Sequence, residues 1–97
     1  MRKLFLVTRS HGPRWNDSRP IEEQEEWPAH AEFMDNLVAE RFIVLGGPVD
    51  GMDHALLIVQ ARDAEEIHQR LAKDPWSHNG LLRTSELRSW TVRLDST

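Results

Sequence analysis

The stretch Ala55-Leu56-Leu57-Ile58-Val59-Gln60-Ala61 is apolar at nearly every position. Successive side chains of a strand point to opposite faces, so Leu56 and Ile58 would face one way and Leu57 and Val59 the other. Lys3 to Arg9 repeats the pattern, with Leu4, Leu6 and Thr8 alternating against Phe5 and Val7, and Phe42 to Leu45 is apolar throughout. A sheet built from such strands has to be covered on both sides. That requirement limits the architectures open to a short chain more than any other feature of this sequence.

The segments between these strands read as helices and turns. Pro28 suits the first turn of a helix and not its middle. The main helix is therefore expected from Pro28 to Arg41, with Trp27, Ala31, Met34, Leu37 and Val38 on one apolar stripe. Phe42 to Leu45 is the second strand, broken by Gly46-Gly47-Pro48. Asp50-Gly51 is a turn signal leading into the third, Ala55 to Ala61. Asp63 followed three residues later by Glu66 has the form of a capping box, which starts a helix over Ala64 to Lys73 with Ile67 and Leu71 buried. Asp74-Pro75 ends that helix and offers another helix start. Leu87 to Leu94 is the last strand, with Trp90, Val92 and Leu94 on one face. Ser10 to Glu26 is a long loop punctuated by Gly12, Pro13 and Pro20, of the kind that forms a lid or a partly ordered cover.

The order βαββαβ implies an α+β, ferredoxin-like fold: a four-stranded antiparallel sheet with two helices on one face. Two helices cover one face only. A second copy of the same sheet is the economical cover for the other, so a homodimer packed sheet to sheet is expected.

Composition narrows the function classes. The 97 residues suit one domain spanning 1–97. A net charge of -4, with basic residues scattered among acidic ones, argues against a nucleic-acid or membrane-surface binder. There is no cysteine, which removes disulfides, thiol catalysis and thiolate metal sites. The apolar run Leu4 to Val7 is too short for a signal peptide or a membrane span, and a cytoplasmic protein is expected. His11, His30, His54, His68 and His78 include no i,i+4 pair, so no preformed zinc motif is present. Asp50-Gly51-Met52-Asp53 lacks the ligands of a calcium loop. No phosphate-binding loop or dinucleotide fingerprint occurs.

Two segments carry the candidate chemistry. Trp27-Pro28-Ala29-His30 puts a histidine in the first turn of the main helix, and Asp74-Pro75-Trp76 supplies a carboxylate that could orient it. An inward imidazole with an acidic partner is the smallest kit for moving a proton near neutral pH. The positive helix end favours the neutral ring, while a carboxylate from Asp74, aided by Glu25 and Glu26, favours the charged one. Each residue also has a purely structural explanation: His30 half-buried against a backbone carbonyl, Asp74 as the N-cap before Pro75. Arg9 at the root of the long loop and Arg19 within it could hold an anionic group or simply balance nearby glutamates. Gly46 and Gly47 could bring backbone close to a ligand or serve only as a bend. Trp76 and Trp90 are each more often packing residues than stacking platforms.

Several segments together resemble the YciI-like (YCII-related) family of the dimeric α/β-barrel group. They are Pro28-Ala29-His30 running on through Glu32, Phe33, Met34, Asp35, Asn36 and Leu37, then Val44-Leu45-Gly46-Gly47-Pro48, Asp74-Pro75-Trp76 with Gly80-Leu81, and Trp90-Thr91-Val92. At Arg41-Phe42 the sequence departs from its relatives, which often carry glycine before the strand. The resemblance implies a His30–Asp74 pair in a cleft of a dimer and an enzyme acting on a small molecule. Elimination or isomerisation without a cofactor fits a site that moves only protons. A non-catalytic ligand-binding dimer and a cofactor-free oxygenase are the alternatives. The candidate substrate contacts are Arg9, Trp15, Gly46, Gly47, Pro48 and Trp76, with no metal ligand.

Overall fold

The computed structural model describes residues 2–97. Four strands, β1 (Arg2–His11), β2 (Ile43–Pro48), β3 (His54–Val59) and β4 (Leu82–Val92), form one sheet in the order β2-β3-β1-β4. Every neighbouring pair is antiparallel. Helix α1 (Trp27–Ala39) links β1 to β2, while α2 (Ala64–Leu71) and the single turn α3 (Pro75–His78) link β3 to β4. This is the α+β, ferredoxin-like architecture that the element order implies.

The core lies between the sheet and the two longer helices. Val7, Ile43, Leu57 and Val59 from the sheet pack with Leu37 of α1, Ile67 and Leu71 of α2, and Phe42. Each such side chain contributes about 1.5–3 kcal/mol on leaving water. On the opposite face the register aligns Leu4 with Trp90, Leu6 with Ile58 and Leu45 with Ile58. Leu45 is 68% exposed there, with Leu56 and Trp90 also open to solvent. The strands are thus apolar on both faces, and the described chain covers one of them.

Local chemistry explains the boundaries. The Asp63 carboxylate caps α2 by accepting from the Glu66 amide at 2.9 Å, and Glu66 in turn accepts from the amide of Arg62 at 2.9 Å. That is a capping box displaced by one residue on its return bond. Several expected strand limits need correction. Gly46-Gly47-Pro48 does not break β2 but completes it. Pro48 is tolerated because β2 is an edge strand. A side chain at Gly46 would come within 2.6 Å of Leu57 Cδ2, so glycine keeps the edge close to β3. Strand β4 begins at Leu82, five residues before the expected Leu87. A bulge at Ser85, between the pairs Thr8–Glu86 and Arg9–Thr84, breaks the alternation that would have revealed it. At the other end Leu94 lies beyond the strand and is exposed.

The expected stripe on α1 also divides. Of its residues only Leu37 is buried in the core. His30, Phe33 and Leu37, at helical spacing, form the inward stripe. Trp27, Ala31 and Val38 instead line an open cleft, and Met34 lies between cleft and core.

Helix α1 ends in a Schellman motif: the Phe42 amide donates to the Leu37 carbonyl and the Arg41 amide to that of Val38. Arg41 takes the left-handed position at φ 65°, where glycine is the unstrained residue. Arg41→Gly is expected to stabilise the protein by about 1 kcal/mol. The check is a higher denaturant midpoint at unchanged slope. An unchanged midpoint would mean that this turn stores no strain.

Candidate active site

Asp74 organises the site from beneath. It precedes Pro75, and its carboxylate caps α3 by accepting from the Trp76 amide at 3.0 Å. The same oxygen, Oδ1, lies 2.8 Å from His30 Nδ1. Oδ2 accepts from Arg9 at 3.2 Å. The Asp74 side chain is 0% exposed and that of His30 8%. The cap role and the histidine contact therefore coexist on one carboxylate.

Arg9 is the countercharge. One guanidinium nitrogen donates to Asp74 and to Ser77 Oγ at 2.6 Å, the other to Thr84 Oγ1 at 2.9 Å. Burial pulls its pKa down, and Asp74 opposes that shift. Arg9 Nε is the one buried side-chain nitrogen or oxygen among the described residues that lacks a hydrogen-bond partner. The Ser85 bulge brings Thr84 opposite Arg9, and Ser85 itself bonds Ser10 at 2.6 Å. Arg9 thus serves Asp74 rather than balancing glutamates. Arg19 pairs with Glu23 on the surface, and Glu25 and Glu26 engage Arg14 and Asn79 rather than the imidazole.

The imidazole is held by rings as well as by the carboxylate. Trp76 stacks on His30 with centroids 3.7 Å apart and planes 6° from parallel. Its indole N–H donates to the Glu25 carbonyl at 2.6 Å. Trp27 and Trp15 flank Trp76 at 5.7 and 5.5 Å. With Asp74 accepting at Nδ1, the neutral ring presents Nε2 as a free base, and Nε2 makes no bond to another described residue.

His30 lines a cleft of about 360 Å³ together with Arg9, Trp15, Gly46, Gly47, Pro48 and Trp76. All six expected substrate contacts therefore meet around one space, and Asp74 sits behind His30. Trp76 is at once a packing residue and a wall of the cleft. The Ser10–Glu26 region is less of a loop than expected. Ser10 and His11 extend β1, and Ile21–Glu23 forms a 3₁₀ turn. The buried Gln24 ties the rest by bonding the carbonyls of Asn16 and Arg19 and the amide of Asn16. Gly12 packs so close to Gly80 that a side chain there would collide with its carbonyl, and this seats Trp15 against Trp76.

Sequence reasoning missed His11, His54 and Asp35 as cleft residues. Extending β1 by two residues would have found His11, two positions from Arg9 and so on the same face. Among the described residues no group of three or more His, Asp or Glu could hold a metal ion, and no helix is long and apolar enough to cross a membrane.

A ferredoxin-like α+β chain with a buried carboxylate behind a cleft-facing imidazole is the class defined here. The chain matches the YCII-related domain over residues 4–91 and belongs to that family. Among solved structures it is similar to the 5-chloro-2-hydroxyhydroquinone dehydrochlorinase of Burkholderia phenoliruptrix AC1100, determined in complex with 2,5-dihydroxybenzoquinone. The two are 25% identical, with a TM-score of 0.62 over 93% of each chain. No curated protein matches the chain.

Removing the carboxylate's charge should expose its structural weight. Asp74→Asn keeps a capping side chain but leaves Arg9 buried without a countercharge, a loss of about 3–5 kcal/mol. In an Arg9→Met background the same change should cost less, by about 1 kcal/mol or more. Equal costs in both backgrounds, measured by denaturant unfolding, would dismiss the charge pair as what holds Asp74.

Proposed function

We propose that this protein is a cofactor-independent acid/base enzyme that eliminates from, or isomerises, a planar oxygen-substituted ring in the His30 cleft. The observation that carries this reading is the 2.8 Å contact between His30 Nδ1 and the buried Asp74 carboxylate, with Nε2 left free on an indole-lined wall. The similar dehydrochlorinase acts on a chlorinated hydroxyhydroquinone, which supplies the substrate class.

The chemistry needs only protons and one leaving group. His30 Nε2 takes the proton of one ring hydroxyl and returns it to the halogen-bearing carbon, giving the keto tautomer. It then takes the proton of a second, conjugated hydroxyl. The electron pair left on that oxygen forms a second C=O, the ring double bond shifts, and halide departs with its bonding pair. The net loss is one hydrogen halide, and no electrons are exchanged with a further reagent. Asp74 holds the imidazole in the tautomer with its basic nitrogen toward the ring and balances the charge when it is protonated. Arg9 pairs with Asp74, Trp76 holds the imidazole plane, and Trp15 with the Gly46-Gly47-Pro48 edge bounds the bound ring.

A panel of chlorinated di- and trihydroxybenzenes tests this by halide release and quinone absorbance. Wild type should turn over at least one of them, and His30→Ala should slow it by about 10²–10⁴-fold. Turnover that survives His30→Ala would assign the base elsewhere. Binding without turnover would favour a ligand-binding protein.

The working form is a homodimer, sheet against sheet. Its support is the uncovered apolar face bearing Leu6, Leu45, Leu56, Ile58 and Trp90. Sedimentation at low micromolar concentration should give a dimer, and Leu56→Glu a monomer. A wild-type monomer would overturn it.

A further inference from the structure

The mechanism leaves two cleft imidazoles unused, His11 and His54, and of these His54 lies beside the Asp53 carboxylate at 3.6 Å. His11 ends β1, two residues beyond Arg9 and about 7 Å further along the same strand face. Its ring stacks on Trp15 with centroids 3.8 Å apart and planes 9° from parallel. Its amide is tied to the Asp53 carbonyl at 2.9 Å, so the backbone is fixed as well. Neither ring nitrogen has a hydrogen-bond partner among the described residues. An imidazole clamped in place with both nitrogens unused, on the wall of a 360 Å³ cleft, is built to meet something that enters.

Its direction matters too. Trp15 and Trp76 stand at 90°, and each carries one histidine nearly parallel to itself. The planes of His11 and His30 are therefore close to perpendicular, and the two rings border the cleft from separate positions.

We propose that His11 is a second substrate contact, hydrogen-bonding an oxygen substituent of the ring remote from the one that His30 deprotonates, and that it selects the substitution pattern accepted. This rests on the cleft reading given above. Burial pulls the pKa of His11 below 6.5, with His54 adding to the shift and Asp53 and Asp17 opposing it. The ring is thus neutral at pH 7, where one nitrogen donates and the other accepts. It can meet a hydroxyl or a quinone carbonyl equally well.

The test is quenching of indole fluorescence by two probes, 2,5-dihydroxybenzoquinone and unsubstituted benzoquinone, alongside halide release. His11→Phe keeps the stack on Trp15 and removes the hydrogen bond. It should weaken the dihydroxy probe about tenfold, leave the unsubstituted probe nearly unchanged, and raise KM more than it lowers kcat. His11→Gln should recover part of the loss. Equal effects on both probes, or none, would overturn the role of His11 while wild-type binding and the His30→Ala defect still stood. Wild type that neither binds the dihydroxy probe nor turns over any panel member would overturn the cleft reading, and this proposal with it.

Discussion

A single buried carboxylate ties three parts of the chain together. Asp74 has no exposed surface, yet it carries an ionisable group into the interior. Such a group is tolerated only when paired and fully hydrogen-bonded. Asp74 meets that condition by drawing one partner from β1, one from α1 and one from its own helix: Arg9, His30 and the Trp76 amide. Much of the remaining design follows. Strand β4 must bring Thr84 to the other arm of Arg9, α3 must begin at Pro75, and α1 must turn a histidine inward.

Around that carboxylate the aromatic residues act as a frame. Stacking on Trp76 removes rotational freedom from His30, and the 2.6 Å bond from Trp76 to the Glu25 carbonyl fixes the indole to the segment that enters α1. The imidazole is thus constrained in plane by the carboxylate and across its face by the indole. Such preorganisation lowers the cost of reaching a reactive geometry.

The fold was legible because the hydrophobic periods were strong. The doubly apolar strands, Pro28 and the Asp63–Glu66 spacing place β1, β2, β3, α1 and α2 within a few residues of where they lie. The His30–Asp74 proximity was carried by family resemblance, since capping alone explains Asp74 before Pro75 and spacing says nothing about a contact 44 residues apart. The division of the α1 stripe was hidden because a cleft and a core both favour apolar side chains, so Val38 and Leu37 look alike in sequence. The first half of β4 was hidden by polar residues and by a bulge. His11 was hidden by the turn residues that follow it.

That bulge has a consequence for how the chain can vary. Ser85 is the extra residue there, with no partner opposite it in β1. Side chains in a strand alternate, so Thr84 and Glu86 would share a face if Ser85 were paired; the bulge instead puts Thr84 opposite Arg9 and Glu86 opposite Thr8. Losing Ser85 would leave both pairings in register, whereas losing a paired residue such as Arg83 would turn Leu82 to the other face. Sequences of this type should therefore vary in length at the bulge and hold it elsewhere in the strand.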